Sequence, residues 1–320
     1  MERTPWDPEG VETLLDAEGA LVRPDAASGL DLRALYKKMV GARSLDLRLS
    51  QLGLPMWASA AGEEAALVPL GLALDAEDWL YPSARDAAAL FGRGIAAGQV
   101  ARRALGLDGR PKIPGDLSFP EHNIAPLPES LGLHLLVASG HARAQKLSGS
   151  GAITAASFGE GTSTTGAFHE ALCMAAHGEL PLVFVCKSQE WPDGAPDEAG
   201  SLGDPVADRA RAYGLWTRRV DGADPLSCQL AMDTAIERAR AGDGPSLVEV
   251  VVTQLAHDPP AHRDPIERLR RRIDADGQWT QTFQDVIEAE VRGQLDEVVN
   301  EYEARLHGQN GHGSHAGGRA

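Results

Sequence analysis

The sequence predicts an α/β fold with a mostly parallel sheet flanked by helices on both faces. Short apolar segments alternate with helical segments of roughly 10–15 residues through the second half of the chain, which is typical of βαβ units. The chain has 320 residues, enough for one large or two modest domains with a buried core. Hydrophobic residues make up 43% and charged residues 24%, the balance of a globular protein.

The first third of the chain predicts an arm followed by helices. Prolines at positions 5, 8 and 24 argue against a long helix, so residues 1–30 are expected to form the arm. Residues 31–52 carry apolar side chains at helical spacing and predict an amphipathic helix. A short apolar stretch is expected at 79–82, and further helices at 62–74, 84–94 and 97–107. Several prolines make residues 108–128 a long irregular loop, which in compact domains is often functional.

The alternating part of the chain begins near residue 131. Strands are predicted at 152–158, 180–186, 216–220 and 246–253. Helices are predicted at 131–146, 164–177, 205–213 and 225–241, with a loop at 192–204. Helix is expected from Pro265 to about Leu306, whereas the last residues contain nothing that could form a core. The predicted organisation is an arm (1–30), an α/β domain (31–264), a helical extension (265–307) and a disordered tail (308–320).

Charge and composition exclude several classes of protein. With 46 acidic and 30 basic residues, the formal charge is −16, and such a surface repels nucleic-acid phosphates. The three cysteines form no CxxC pattern, so neither disulfides nor structural zinc are expected. The N-terminus lacks the layout of a signal peptide, and no apolar run reaches the roughly 18 residues of a membrane helix. We therefore expect a cytoplasmic protein without nucleic-acid or membrane partners.

Polar residues follow two neighbouring strands of the predicted sheet. The strand at 152–158 ends in Gly159-Glu160-Gly161, and the next helix begins near Thr164. Ligands of open parallel sheets bind at the carboxyl ends of strands, and a helix start there attracts phosphate. The segment matches neither the G-x-G-x-x-G fingerprint nor a P-loop, because Ala167-Phe168 stands where a P-loop needs Lys and Ser or Thr.

The following strand ends in a second polar group. Lys187 and Gln189 lie about 30 residues beyond Glu160, the length of one βαβ unit. Adjacent strand ends would then present a carboxylate, an amide oxygen and an ammonium to one place. Oxygen ligands suit Mg²⁺ and an ammonium suits phosphate, so a metal–diphosphate cofactor is one interpretation. A capped helix with two solvated polar residues is the other, and spacing alone does not decide between them.

The segment GEGTSTTGAFHEALCMAAHGELPLVFVCKSQEW resembles a known cofactor motif. It is similar to the thiamine motif of the alpha subunits of heterotetrameric 2-oxo acid dehydrogenases, the decarboxylating first component of the pyruvate and branched-chain complexes. The resemblance covers roughly residues 10–305, and further counterparts occur in the same order: LYKKMVGARSLDLRL, SAAGEEAALVPLGLAL, DWLYPSARD and RARAYGLWTRRVDGADPL. Single pieces are weak, but the ordered set is specific. It implies a thiamine-diphosphate-binding fold.

The resemblance also implies site residues, position by position. Glu160 falls on the acidic metal ligand, Gln189 on the asparagine ligand, and Trp191 on the residue whose carbonyl binds the metal, which is Mg²⁺. The residues implied to contact thiamine diphosphate are Arg85 and Lys187 at the diphosphate, Leu131 beside the aminopyrimidine, and Gly159, Gly161 and Thr162 in the turn.

The family's architecture implies partners. A beta subunit supplies the glutamate that protonates the aminopyrimidine, so an α2β2 assembly is expected and this chain alone is an incomplete enzyme. The acyl group passes to a lipoyl-bearing second component. The substrate is pyruvate or a branched-chain 2-oxo acid: Glu63 and Glu160 resemble branched-chain members, whereas FHEALCMAAHGELPLVFVC resembles pyruvate members.

Several positions depart from the family. Ala84 replaces a diphosphate-binding tyrosine, and Gln189 replaces asparagine. The stretch VTQLAHDPPAHRDP replaces an RYGPHS-type loop, so that Asp258 falls on the catalytic position and His257 precedes it. We take His257 as the catalytic histidine, because it follows a β-rich run, whereas His262 lies further out. Two functions remain: an active alpha subunit, or a degenerate subunit that only assembles with a partner.

Overall fold

A computed structural model describes residues 10–23, 29–54, 57–110, 116–127, 130–189, 205–255 and 261–310. Its centre is a sheet whose strands are β1 (Trp79–Tyr81), β2 (Thr154–Gly159), β3 (Leu182–Gln189), β4 (Trp216–Asp221) and β5 (Ser246–Val252). The strand order is β1-β2-β3-β5-β4, and every neighbouring pair is parallel. The sequence SLVEVVV of β5 is buried throughout, as expected for a parallel strand covered on both sides.

Helices cover both faces of this sheet, which confirms the predicted fold class. They are α1 (Leu32–Gln51), α2 (Glu64–Ala73), α3 (Ala87–Gly92), α4 (Ala97–Ala104), α5 (Leu133–Ser148), α6 (Gly166–Gly178), α7 (Val206–Ala212), α8 (Pro225–Ala241), α9 (Pro265–Ala275) and α10 (Gln281–Asn310). One core forms between the sheet and α5, α6 and α7. The other core contains α1 to α4, α8, α9 and α10.

Aspartates begin three of the helices. Asp31, Asp224 and Asp264 each accept a hydrogen bond from a backbone N–H of the first turn of α1, α8 and α9, respectively. Proline occupies the first position of α8 and of α9, where its missing N–H costs nothing. None of the described helices is both long enough and apolar enough to cross a membrane.

Several predicted boundaries differ from the structure by a few residues. The helical stretch expected from Pro265 consists of two helices, α9 and α10, separated where Gly277 takes a left-handed conformation (φ 68°). The helix expected at 84–94 begins only at Ala87. The helix expected from Thr164 begins at Gly166, after a 3₁₀ turn. Strand β3 continues three residues beyond the predicted end, because Lys187, Ser188 and Gln189 pair with β5.

The arm and the proline-rich loop both pack against the sheet where they are described. Glu12 forms a parallel bridge with Val220 of β4, and Leu15 is fully buried. Within the loop at 108–128, Ile124 forms a parallel bridge with Leu80, so this segment covers the outer edge of β1. Residues 111–115 and 128–129 of that loop, and the tail from 311, lie outside the described residues.

Gly62, just before α2, is expected to be sensitive to substitution. Its φ is 102°, and an added Cβ would lie 2.1 Å from the Thr253 carbonyl oxygen. Gly62→Ala should therefore lower the free energy of unfolding by about 2 kcal/mol or more, as measured by urea denaturation. Gly94→Ala is the matched control, since Gly94 has φ 93° but an added Cβ would meet no atom within 4 Å. Equal losses in both variants would show that the contact with Thr253 is unimportant.

Candidate active site

The end of β2 forms a compact turn held by its own hydroxyl groups. The strand stops at Gly159, and residues Glu160–Thr164 make one 3₁₀ turn before α6. The Thr164 hydroxyl donates to the Gly161 carbonyl oxygen at 2.9 Å, and the Thr165 hydroxyl donates to the Thr162 carbonyl oxygen at 2.8 Å. Local side-chain bonds of this kind fix the backbone of the turn independently of any partner.

Glu160 and Gln189 lie together at the carboxyl edge of the sheet. The Gln189 backbone N–H donates to Glu160 Oε2 at 3.0 Å, which joins the end of β3 to the turn after β2. Both residues are partly exposed. Carboxylate and amide oxygens are ligands that suit a hard cation such as Mg²⁺. Trp191, the third residue implied as a metal ligand, lies outside the described residues.

The glycines of the turn leave its surface accessible. A methyl group added at Gly159 or Gly161 would meet no atom of the described chain within 4 Å, so internal packing does not demand glycine there. Thr162 is buried and packs toward Gly132, where an added Cβ would lie 3.3 Å from Thr162 Cγ2. Leu131, one residue earlier, is 65% exposed beside this turn.

Lys187 lies opposite Gly159 in the sheet register, but its side chain is buried on the face covered by α2 and α3. Its ammonium group forms ion pairs with Asp86 and with Glu63, the latter at 3.4 Å, and donates to the Ser83 hydroxyl at 3.0 Å. Burial alone would lower the pKa of Lys187, but the two carboxylates outweigh it and raise the pKa.

Arg85 belongs to a short capped turn after β1. Asp86, fully buried, accepts hydrogen bonds at 2.8 Å from the backbone N–H and from the hydroxyl of Ser83. Burial acts to raise the pKa of Asp86, but Lys187 and these hydrogen bonds hold it below its ordinary value. Arg85 and Ala84 are exposed between the two ends of the turn.

Sequence reasoning missed Asp86 and Glu249. Ser83-x-x-Asp86 fits the pattern of a helix capping box, and that signal could have located Asp86. Glu249 is the one charged residue of β5, and burial of the strand predicts that it needs partners. It accepts a hydrogen bond from the Ser188 hydroxyl and another from the Ala207 backbone N–H, both at 2.8 Å. Glu249 thus connects the end of β3 with the start of α7.

The catalytic position implied by the resemblance is described only at its borders. His257 and Asp258 lie outside the described residues. Before them, the Leu255 backbone N–H donates to the Ala61 carbonyl oxygen at 2.9 Å, which fixes the chain against the turn before α2. After them, His262 lies in a 3₁₀ turn, and the His262 carbonyl oxygen accepts a hydrogen bond from the Arg268 side chain.

A parallel α/β sheet with carboxylate and amide oxygens at adjacent strand ends is typical of proteins that bind a phosphorylated cofactor through a metal ion. Comparison with known families narrows the class. The model of the family "Dehydrogenase E1 component" matches residues 34–309. The chain belongs to this family and is an alpha subunit of a 2-oxo acid dehydrogenase first component, as the resemblance predicted. Membership in this family implies thiamine diphosphate as the cofactor.

Curated relatives agree with this assignment. The 3-methyl-2-oxobutanoate dehydrogenase subunit alpha of Mycobacterium tuberculosis is 34% identical over 291 residues, which span 84% of this chain and 78% of the relative. The pyruvate dehydrogenase E1 component subunit alpha of Bacillus cereus is 29% identical over 311 residues, or 89% and 82% of the two chains. The corresponding Bacillus subtilis subunit is 26% identical over 315 residues, or 91% and 84%.

Proposed function

We propose that this chain and a beta subunit together form an α2β2 dehydrogenase component that holds thiamine diphosphate through Mg²⁺ at Glu160 and Gln189. The observation that carries the proposal is the hydrogen bond from the Gln189 backbone N–H to Glu160, which places the Glu160 carboxylate against the end of β3 where Gln189 lies. The two residues are one βαβ unit apart in the sequence, which places them at the ends of adjacent parallel strands. Membership in the family implies that the cofactor is thiamine diphosphate.

The described residues fit such a cofactor. Glu160 supplies a charged oxygen and Gln189 an amide oxygen, and magnesium usually completes its shell with substrate phosphates and water. Arg85 would pair with the diphosphate, since a guanidinium group binds phosphate oxygens in bidentate fashion. The glycines at 159 and 161 allow close approach to the backbone. When bound, the cofactor supplies the carbon nucleophile for decarboxylation, while the protein supplies position and electrostatics.

Exposed apolar residues beside the site support a protein partner. Leu131, Leu133 and Val137 are 65%, 46% and 53% exposed. Leu131 precedes α5 and the other two lie in its first turns, and Gly132 between Leu131 and Leu133 packs against Thr162 and Thr165 of the turn after β2. Apolar side chains clustered at a site edge are typical of an interaction surface. We propose that the beta subunit covers them and completes the aminopyrimidine end of the site. A lipoyl-bearing second component then accepts the acyl group, in the cytoplasm.

A branched-chain 2-oxo acid is our first candidate substrate. The Mycobacterium relative named for 3-methyl-2-oxobutanoate is 34% identical to this chain over 291 aligned residues, against 29% over 311 for the Bacillus cereus pyruvate dehydrogenase subunit. Pyruvate is the second candidate, supported by the number of similar subunits that carry that name. Turnover of 3-methyl-2-oxobutanoate and of pyruvate by the reconstituted complex, compared as kcat/KM, distinguishes the two.

The isolated chain is expected to show no decarboxylase activity. Its described residues supply the metal and diphosphate side of a site, and the aminopyrimidine side is assigned to the beta subunit. Release of CO₂ from both 2-oxo acids should be measured for the chain alone and for the chain co-purified with its beta subunit. Decarboxylation by the chain alone would refute the divided site. An assembled complex that binds thiamine diphosphate but turns over no 2-oxo acid would favour the non-catalytic alternative.

A further inference from the structure

Four residues form a buried polar group beneath the candidate cofactor edge. We call Lys187, Asp86, Glu63 and Ser83 the Lys187 cluster. Lys187 comes from β3, Asp86 and Ser83 from the turn before α3, and Glu63 from the start of α2. The three charged members are all nearly inaccessible to solvent. Two carboxylates therefore face one ammonium group in a region from which water is largely excluded.

The ammonium group of Lys187 already has close oxygen partners within the chain. A lysine has three N–H donors. Three oxygen atoms lie within 3.4 Å of Lys187 Nζ, one each from Asp86, Ser83 and Glu63. Turning the ammonium group away toward a phosphate would weaken its interaction with two buried carboxylates, whose charges need a counterion. This arrangement disfavours the role of a phosphate ligand that the resemblance implied for Lys187.

The same contacts hold the turn that carries Arg85. Asp86 binds Lys187 with one carboxylate oxygen, and its carboxylate also accepts hydrogen bonds from the backbone N–H and from the hydroxyl of Ser83. Arg85 is the residue immediately before Asp86, so its backbone is fixed to β3 near the carboxyl end of the strand by a charge-assisted contact. Glu63 extends the cluster to the segment after β5, because Gln254 Nε2 donates to Glu63 Oε1 at 3.2 Å.

We propose that Lys187 is a positioning residue, which acts through Asp86 to fix the turn that presents Arg85 to the diphosphate. The inference rests on the proposed function, since it needs a diphosphate beside Arg85. It differs from the family-based expectation in a measurable way. If Lys187 were a direct ligand, loss of its counterion would free its positive charge for the phosphate. If it acts through Asp86, the same loss would release the turn.

Asp86→Asn separates these two roles by the sign of its effect. The substitution keeps the size of the side chain but removes a negative charge close to an anion site, and charge alone would strengthen diphosphate binding. We expect the opposite: thiamine diphosphate affinity of the assembled α2β2 complex, measured by titration calorimetry with Mg²⁺, should fall roughly 10-fold. Unchanged or tighter binding would overturn the positioning role.

A double-mutant cycle with Arg85 tests the proposed route. In an Arg85→Ala background, Asp86→Asn should change the affinity by less than about twofold, because no guanidinium remains to be positioned. Full additivity of the two losses would overturn the proposal. Asp78→Asn is the matched control: Asp78 is also fully buried and paired with an arginine, Arg240, but it lies at the opposite end of β1. It should leave the affinity unchanged.

Ser83→Ala provides a second variant in case Asp86→Asn fails to assemble. It removes only the hydroxyl that contacts both Lys187 and Asp86, and it should weaken cofactor binding at least about threefold. Unchanged affinity would count against the proposal. The wild-type complex distinguishes failure of the proposed function from failure of this inference. If the wild-type complex binds no thiamine diphosphate, the proposed function is wrong. If the wild-type complex binds it and the variants bind it equally well, only the positioning role of Lys187 is refuted.

Discussion

Glu160→Ala is expected to abolish Mg²⁺-dependent binding of thiamine diphosphate by the assembled α2β2 complex. Glu160 is the only charged side chain among the metal ligands implied for this chain, and a charge-assisted contact typically contributes about 1.5–3 kcal/mol. Its loss would also leave the Gln189 backbone N–H without the carboxylate it now contacts at 3.0 Å. The combined effect should lower cofactor affinity by about 100-fold or more in titration calorimetry.

Two comparisons make this result interpretable. Glu170→Ala removes an exposed carboxylate from α6, the helix that follows the same turn, and should leave the affinity unaltered. Glu160→Asp retains the carboxylate and its charge on a shorter side chain, so it should bind within about 10-fold of the wild type. Thermal unfolding of each variant without cofactor checks the fold. Unchanged affinity of a folded Glu160→Ala complex would show that the metal site is misassigned.

The parallel sheet could be predicted because its signal is local and repeated. Strands β2, β3 and β5 each appear as short apolar runs between helical segments, and one βαβ unit of spacing suffices to bring Glu160 and Gln189 to the same edge. The end of β3 was less predictable. Lys187 and Ser188 look like loop residues, but pairing with Val250 and Val251 of β5 keeps them in the strand.

The partners of Lys187 could not be predicted from spacing. Asp86 and Glu63 are 101 and 124 residues from Lys187 in the sequence (187 − 86 and 187 − 63), and only the packing of α2 and α3 on the sheet brings the three together. A basic residue at a strand end indicates an anion partner, but the sequence does not say whether that anion is a ligand or a carboxylate of the chain. Alternation along β3 gives a partial clue, since Val183, Val185 and Lys187 share the face that packs on α1 to α4.

His257→Ala is expected to slow reductive acylation of the lipoyl domain about 10²-fold or more, while thiamine diphosphate affinity stays nearly intact. Acyl transfer needs a group that exchanges protons near neutral pH, and imidazole is the side chain best suited to that task. His257 itself lies outside the described residues, but the chain just before it is anchored. Leu255 donates to the Ala61 carbonyl oxygen at 2.9 Å, and Gln254 donates to Glu63 at 3.2 Å.

His262→Ala is the matched control for this prediction, because His262 is the other histidine of the same stretch. It lies beyond the prolines, in a 3₁₀ turn tied to α9 through Arg268, and burial together with Arg263 and Arg268 lowers its pKa. A lowered pKa makes the protonated imidazole of His262 scarcer near neutral pH, so its loss should change the acylation rate less than threefold. Single-turnover acylation of a lipoyl domain by the reconstituted complex measures both variants. A loss of less than threefold for His257→Ala would assign proton transfer to another group. A large loss for His262→Ala would identify that group, because the two substitutions remove the same side chain from positions only five residues apart in the sequence.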